Sequence, residues 1–194
     1  MNALQAMAIT KGKYESDAKY LSRMKELESE QLYDELTVGS LLAFKPVDVK
    51  WTYDANQGKW EYMVREHSVM PPSDAIAISS RKIGNADQWR AIFPGRNLGE
   101  YETIAIDTTR AFHIIGGFPS PAEKAALLEN KLDVLVIGKL APPYVRGEQV
   151  LPVKHSNDTR VDNVRLVTVR MQEAWVVNRV SGEVLAKSKL RAPR

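Results

Sequence analysis

The chain has 194 residues, 44% hydrophobic and 26% charged, the balance of an ordinary globular protein rather than a disordered or fibrous one. It has no cysteine, which excludes a disulfide scaffold, a thiolate zinc site and a cysteine nucleophile, and no apolar run approaches the length needed to cross a bilayer. The net charge of +3 is unevenly spread: residues 1–40 carry 5 basic and 7 acidic groups, residues 140–194 carry 10 and 5, and the chain ends KSKLRAPR.

The opening MNALQAMAIT lacks the basic head and long apolar middle of an intact secretory signal. A chain without thiols suits cytoplasm, periplasm or exterior alike. The first helix is expected over about Ser16–Leu36. Ser16 or Asp17 can cap it, Ala18, Leu21, Met24, Leu32 and Leu36 supply an apolar face with a break near Glu28, and Gly39 is placed to end it.

Period-two alternation then predicts a β-hairpin over about 46–66. Val47, Val49, Trp51 and Tyr53 form one face of the outgoing strand, and Trp60, Tyr62 and Val64 continue it after a turn at Asp54–Gly58. Aromatic residues beside Lys50, Lys59 and Arg65 raise the prospect of base stacking. Interleaved Asp48, Asp54, Glu61 and Glu66 oppose it, and a packed core face is the simpler account.

After Pro71-Pro72, residues 74–80 read as a short strand and residues 81–100 as a long loop, with a helical turn near Ala86–Ile92. Two strand-like runs, TIAID and AFHII, follow and end at Gly116-Gly117, which reads as a strand-to-helix turn. Ser120-Pro121-Ala122-Glu123 is a helix start, with the helix reaching about Asn130. The strand DVLVIGKL (133–140) stops at Ala141-Pro142-Pro143, and residues 141–162 form a second long loop. A strand from about Val164 to Asn178 is apolar on both faces, as a central strand is, and turns at 180–183 into a return strand ending at Leu190. The expected fold is therefore α+β: an antiparallel sheet with a long terminal β-hairpin and two helices packed on it. No linker-like composition divides the chain, so one domain is expected.

Chemical signatures are sparse. The three histidines, His67, His113 and His155, have no metal-ligand spacing, and no cofactor or metal site is expected. There is no GxSxG or SxxK nucleophile motif, and Gly95-Arg96-Asn97-Leu98-Gly99 is not a phosphate-cradling loop. Asp74, Asp107 and Asp133 lie at or in strand-like runs, where acid–base residues are often found, although strand ends are also simply polar.

The order of elements from about Pro121 onward carries a resemblance. Asp133, Val136 and Gly138 fit a strand motif, and Ser181-Gly182-Glu183-Val184-Leu185-Ala186, with Asn178 ahead of it, fits a hairpin motif. Together they resemble α+β domains of bacterial envelope proteins, such as the amino-terminal domain of the Tol-Pal translocation protein and curli-secretion or flagellar accessory lipoproteins. The resemblance covers about residues 121–190. It implies a non-enzymatic binding or assembly role in the periplasm or envelope and assigns no site residue.

The expected partner is an envelope protein, met through the edge of the terminal hairpin or the two long loops. One rival is a small hydrolase or transferase using loop carboxylates, for which Asp107, His113 and His155 would have to converge. The other is a nucleic-acid binder acting through the basic tail.

Overall fold

A computed structural model describes residues 11–64, 75–107, 114–150 and 159–190. The first helix, α1 (Asp17–Leu27), begins where expected: the Ser16 hydroxyl accepts the Lys19 amide at 3.3 Å. It stops at Glu28, well short of Leu36, so the expected helix over 16–36 is corrected. Leu32 and Leu36 instead belong to two short antiparallel strands, β1 (Gln31–Tyr33) and β2 (Leu36–Thr37), joined through Asp34 at φ 49°. The apolar spacing beyond Glu28 is thus used by a tight reversal. Gly39 donates its amide back to the Glu28 carbonyl (2.8 Å), tying the returning chain to the end of α1 rather than extending it.

The aromatic hairpin forms as predicted. Strand β4 (Val49–Asp54) pairs with β5 (Lys59–Val64), placing Trp51 opposite Tyr62 and Tyr53 opposite Trp60. Asp54 accepts the Asn56 and Gln57 amides, and Gly58 takes φ +58°, so the turn residues act as their types suggest. A third strand, β8 (Ile115–Pro119), joins β5 on its other side. Gly116 and Gly117, read from sequence as a turn, lie inside β8. A β-carbon on Gly116 would sit 2.5 Å from the Tyr62 hydroxyl oxygen, because that ring lies across the glycine.

The larger sheet contains β3 (Leu41–Phe44), β6 (Ala75–Asn85), β7 (Gly99–Asp107), β9 (Leu132–Val150), β10 (Arg160–Asn178) and β11 (Val184–Lys189). Its order is β3-β9-β10-β7-β6, with β11 paired to β10 beyond the end of β7. All pairings are antiparallel except β7–β10, so the sheet is mixed. The expected terminal hairpin is β10–β11, turning through Gly182 at φ +75°.

Both expected long loops are corrected. Residues 81–85 and 99–100 are strand, leaving a shorter connection in which Phe93 and Leu98 bury around Val161. Residues 141–150 and 160–162 are strand as well. Pro142 and Pro143 are accommodated because residues 141–144 fall in a register shift between the Val145–Val167 and Leu140–Val169 pairs, where the ladder asks for no donor.

The core lies between the two sheets. Trp60, Tyr62, Val64 and Phe118 of the small sheet face Ile76, Ile106, Val134, Val136, Val167 and Val176 of the large one. Helix α2 (Ala122–Leu128) inserts Ala125 and Leu128 into that layer. Its start differs from expectation. Pro121 occupies the cap position with no side-chain bond, and Ser120 is held by its backbone, its amide on the Gly58 carbonyl (2.7 Å) and its carbonyl accepting the Tyr53 hydroxyl (2.9 Å). The α+β fold with two helices on a sheet is the one the sequence pattern predicts.

Candidate functional site

At one end of the layered sheets three connections meet: the β3–β4 link, the α2–β9 turn and the β10–β11 turn. Between them is a cleft of about 330 Å³, inside the usual size range for small-ligand sites. Lys45, Pro46, Val47, Val49 and Trp51 line one wall, and Asn130, Leu132, Asp133 and Arg179 the other. Each polar side chain is positioned by its element. Phe44 packs inward as the last residue of β3, and Lys45, next in the chain, reaches the Asp133 carboxylate of β9 at 2.6 Å. Arg179 leaves the end of β10 with its amide on the Lys131 carbonyl (2.9 Å), and its guanidinium donates to the Asn130 carbonyl at 2.5 Å.

Trp51 is fixed by its neighbours rather than by solvent. Its ring meets Trp60 edge-on at 6.2 Å and Tyr62 at 5.4 Å. Among the described residues the cleft therefore presents an aromatic wall, two cations and one carboxylate, and that carboxylate already has Lys45 as its partner. An entering acidic group would meet Arg179 and the open side of Lys45. An entering cation would have to compete with Lys45 for Asp133.

A second polar constellation lies on the opposite face of the large sheet. Arg160 grips Asp162 with two hydrogen bonds (3.0 and 2.9 Å), donates to Ser80 at 2.8 Å and stacks on Tyr101 at 3.9 Å. Thr103, fully buried, donates to Asp162 at 2.8 Å. These contacts join β6, β7 and β10, and their groups are turned toward one another. They pin strand register.

The sequence candidates fare unevenly. Asp133 lines the cleft, as a member of an ion pair. Asp107 is buried at the end of β7, opposite Thr168 of β10, whereas Asp133 lies opposite Val177. Nine residues of β10 separate those two positions, roughly 20–30 Å at about 3.3 Å per residue with allowance for bending. The two carboxylates therefore do not form an acid–base pair. Asp74, His67, His113 and His155 lie outside the described residues, as do the last four residues of the basic tail. Among the described residues no cluster of His, Asp and Glu has the makings of a metal site, and no helix is long and apolar enough to cross a membrane.

The aromatic face of the hairpin is core: Trp60 and Tyr62 are buried, and Trp51 and Tyr53 pack against the same layer. Burial pushes the Tyr62 phenol above its ordinary pKa, with the Ser188 hydroxyl pulling the other way. Sequence reading missed Lys45, Asn130 and Arg179. No motif marks them, and only the meeting of three distant turns gives them a common role. No protein-family model, no curated protein and no solved structure matches this chain.

Proposed function

We propose that the protein acts by binding, in an assembly role at the bacterial cell envelope, and that the cleft receives an acidic group of a protein partner. The observation that supports this most directly is the placement of Arg179, which no ion pair among the described residues engages, in the same cleft as Trp51, while Asp133 is already paired with Lys45. An Arg guanidinium offers a planar, paired-donor match to a carboxylate, and the adjoining aromatic wall suits the apolar part of the same residue. The partner's segment also has edges at hand, since β3 and β4 are the outer strands of their sheets and both lead into this cleft. The envelope setting draws on the resemblance of residues 121–190 to envelope domains.

The test is a titration of the full chain with a short peptide ending in a free carboxylate, against the same peptide amidated, followed by NMR at the Trp51 indole. The free acid should shift that resonance. Arg179→Gln should weaken binding about tenfold, the loss expected for one charge-assisted hydrogen bond of about 1.5 kcal/mol. Equal binding of the amidated peptide, or no shift at Trp51 with either, overturns the proposal.

A further inference from the structure

The outward side of the large sheet, over the C-terminal half of β10, carries charge that the core and the cleft do not use. On β9, Val134 and Val136 point into the core, so the alternate positions, including Lys139, point out. Register then places their neighbours on the same side. Arg170 lies opposite Lys139, Lys189 opposite Glu173, and Lys187 opposite Trp175. Lys139, Arg170, Lys187 and Lys189 are all exposed, and among the described residues no ion pair engages any of them. Glu173, the acidic residue opposite Lys189, accepts the Trp175 indole N–H at 2.6 Å.

We propose that this face docks on an anionic lipid bilayer. Charge complementarity is the first argument, since four cations against the single Glu173 carboxylate paired with them, spread over three strands, leave a net positive face that matches a surface of dispersed negative charge, and clusters of this size are what anionic membranes attract. The second is what the aromatic group does. Lys187 sits 3.8 Å over the Trp175 ring and Glu173 holds its N–H, so the tryptophan is covered and offers no platform for base stacking. The third is Leu41, which pairs with Lys139, points to the same side and is 53% exposed, an apolar side chain placed among the cations. The docking needs no occupant in the cleft and stands or falls separately from it.

The experiment is co-sedimentation of the full chain with mixed phosphatidylglycerol–phosphatidylcholine vesicles against pure phosphatidylcholine, at low and raised salt. Binding should require the anionic lipid and fall with salt. The double variant Lys139→Gln/Arg170→Gln should bind about 25-fold more weakly, about fivefold for each surface cation removed. The control Lys19→Gln/Lys25→Gln removes the same charge from exposed positions of α1 and should bind as the parent does. Circular dichroism of both variants checks that they fold.

Absence of binding to anionic vesicles overturns the proposal, as does an equal loss in the α1 control, which would mean net charge alone. Binding of a single-stranded oligonucleotide that Lys139→Gln/Arg170→Gln abolishes, with vesicles ignored, overturns it in favour of nucleic acid.

Discussion

Removing the Asp162 carboxylate is the sharpest test of how the large sheet is held. Asp162 is 5% exposed and accepts hydrogen bonds from Arg160 and Thr103, while the Arg160 side chain retains about a third of its exposure. Breaking a fully buried ion pair by deleting one partner costs about 3–5 kcal/mol, most of it for the charge left behind. Here the guanidinium can turn partly to water and keeps Ser80 and the face of Tyr101, and Thr103 keeps a contact with Ser80 at 3.0 Å. These residual contacts bring the expected loss for Asp162→Ala down to about 2–3 kcal/mol. For a chain of this size that lowers the melting temperature by roughly 4–12 °C.

Urea denaturation of Asp162→Ala, Arg160→Met and the double variant measures the coupling directly. It should come out at about 1–2 kcal/mol, because once Arg160 is gone Asp162 has little left to lose. A single-variant loss below about 0.5 kcal/mol, the scale of an ordinary surface change, would refute the claim that this network pins the register of β6, β7 and β10.

Two further outcomes follow from the small sheet and the start of α1. Gly116→Ala drives a methyl into the Tyr62 ring within its own strand pair, and overpacking of this kind should cost about 1–3 kcal/mol in chemical denaturation; an unchanged midpoint would show that Tyr62 can swing away. The hydrogen-bonded Arg23 guanidinium, aided by the Gly12 amide, holds the Glu15 carboxyl at about 2, below its usual 4.5. A depressed carboxyl pKa adds stability that is complete above the unfolded value and fades as the pH falls, so contacts at the start of α1 should loosen between about 4.5 and 2. NMR titration of the Glu15 carboxyl reads this, and a midpoint near the ordinary value would contradict the pairing.

What the sequence showed, and what it hid, has a common physical cause. The hairpin β4–β5 was legible because one face carries Val49, Trp51 and Tyr53 and the partner strand repeats the alternation, a pattern only a half-buried sheet needs. β10 was legible for a related reason: an apolar pattern on both faces marks a central strand, and β10 is flanked by β9 on one side and by β7 and β11 on the other. The far halves of β6 and β9 were not legible. RKIGN and APPYVRGEQV have no alternation and include two prolines, so these segments are strands because β7 and β10 offer them partners, not because their own propensity demands it. The end of α1 was misjudged because Leu32 and Leu36 kept helical spacing by coincidence.

The cleft was the least legible feature. Lys45 and Asp133 are 88 residues apart, and nothing local to either announces the other. The charge of the C-terminal region makes the related point about function. Ten basic residues in positions 140–194 suggest a general polyanion contact, yet folding sorts them into separate tasks. Arg160 is consumed by Asp162 inside the sheet, and Arg165 leans on Glu102, whose carboxyl is held below its ordinary pKa chiefly by its hydrogen bond with Arg81. Arg179 turns into the cleft. Arg170, Lys187 and Lys189 remain on the outward face, joined there by Lys139 from the preceding strand. Because a cation attracts an outside anion only to the extent that no internal carboxylate has claimed it, the two binding surfaces proposed here are defined by that partition, and variants at Arg179 and at Arg170 should separate them cleanly.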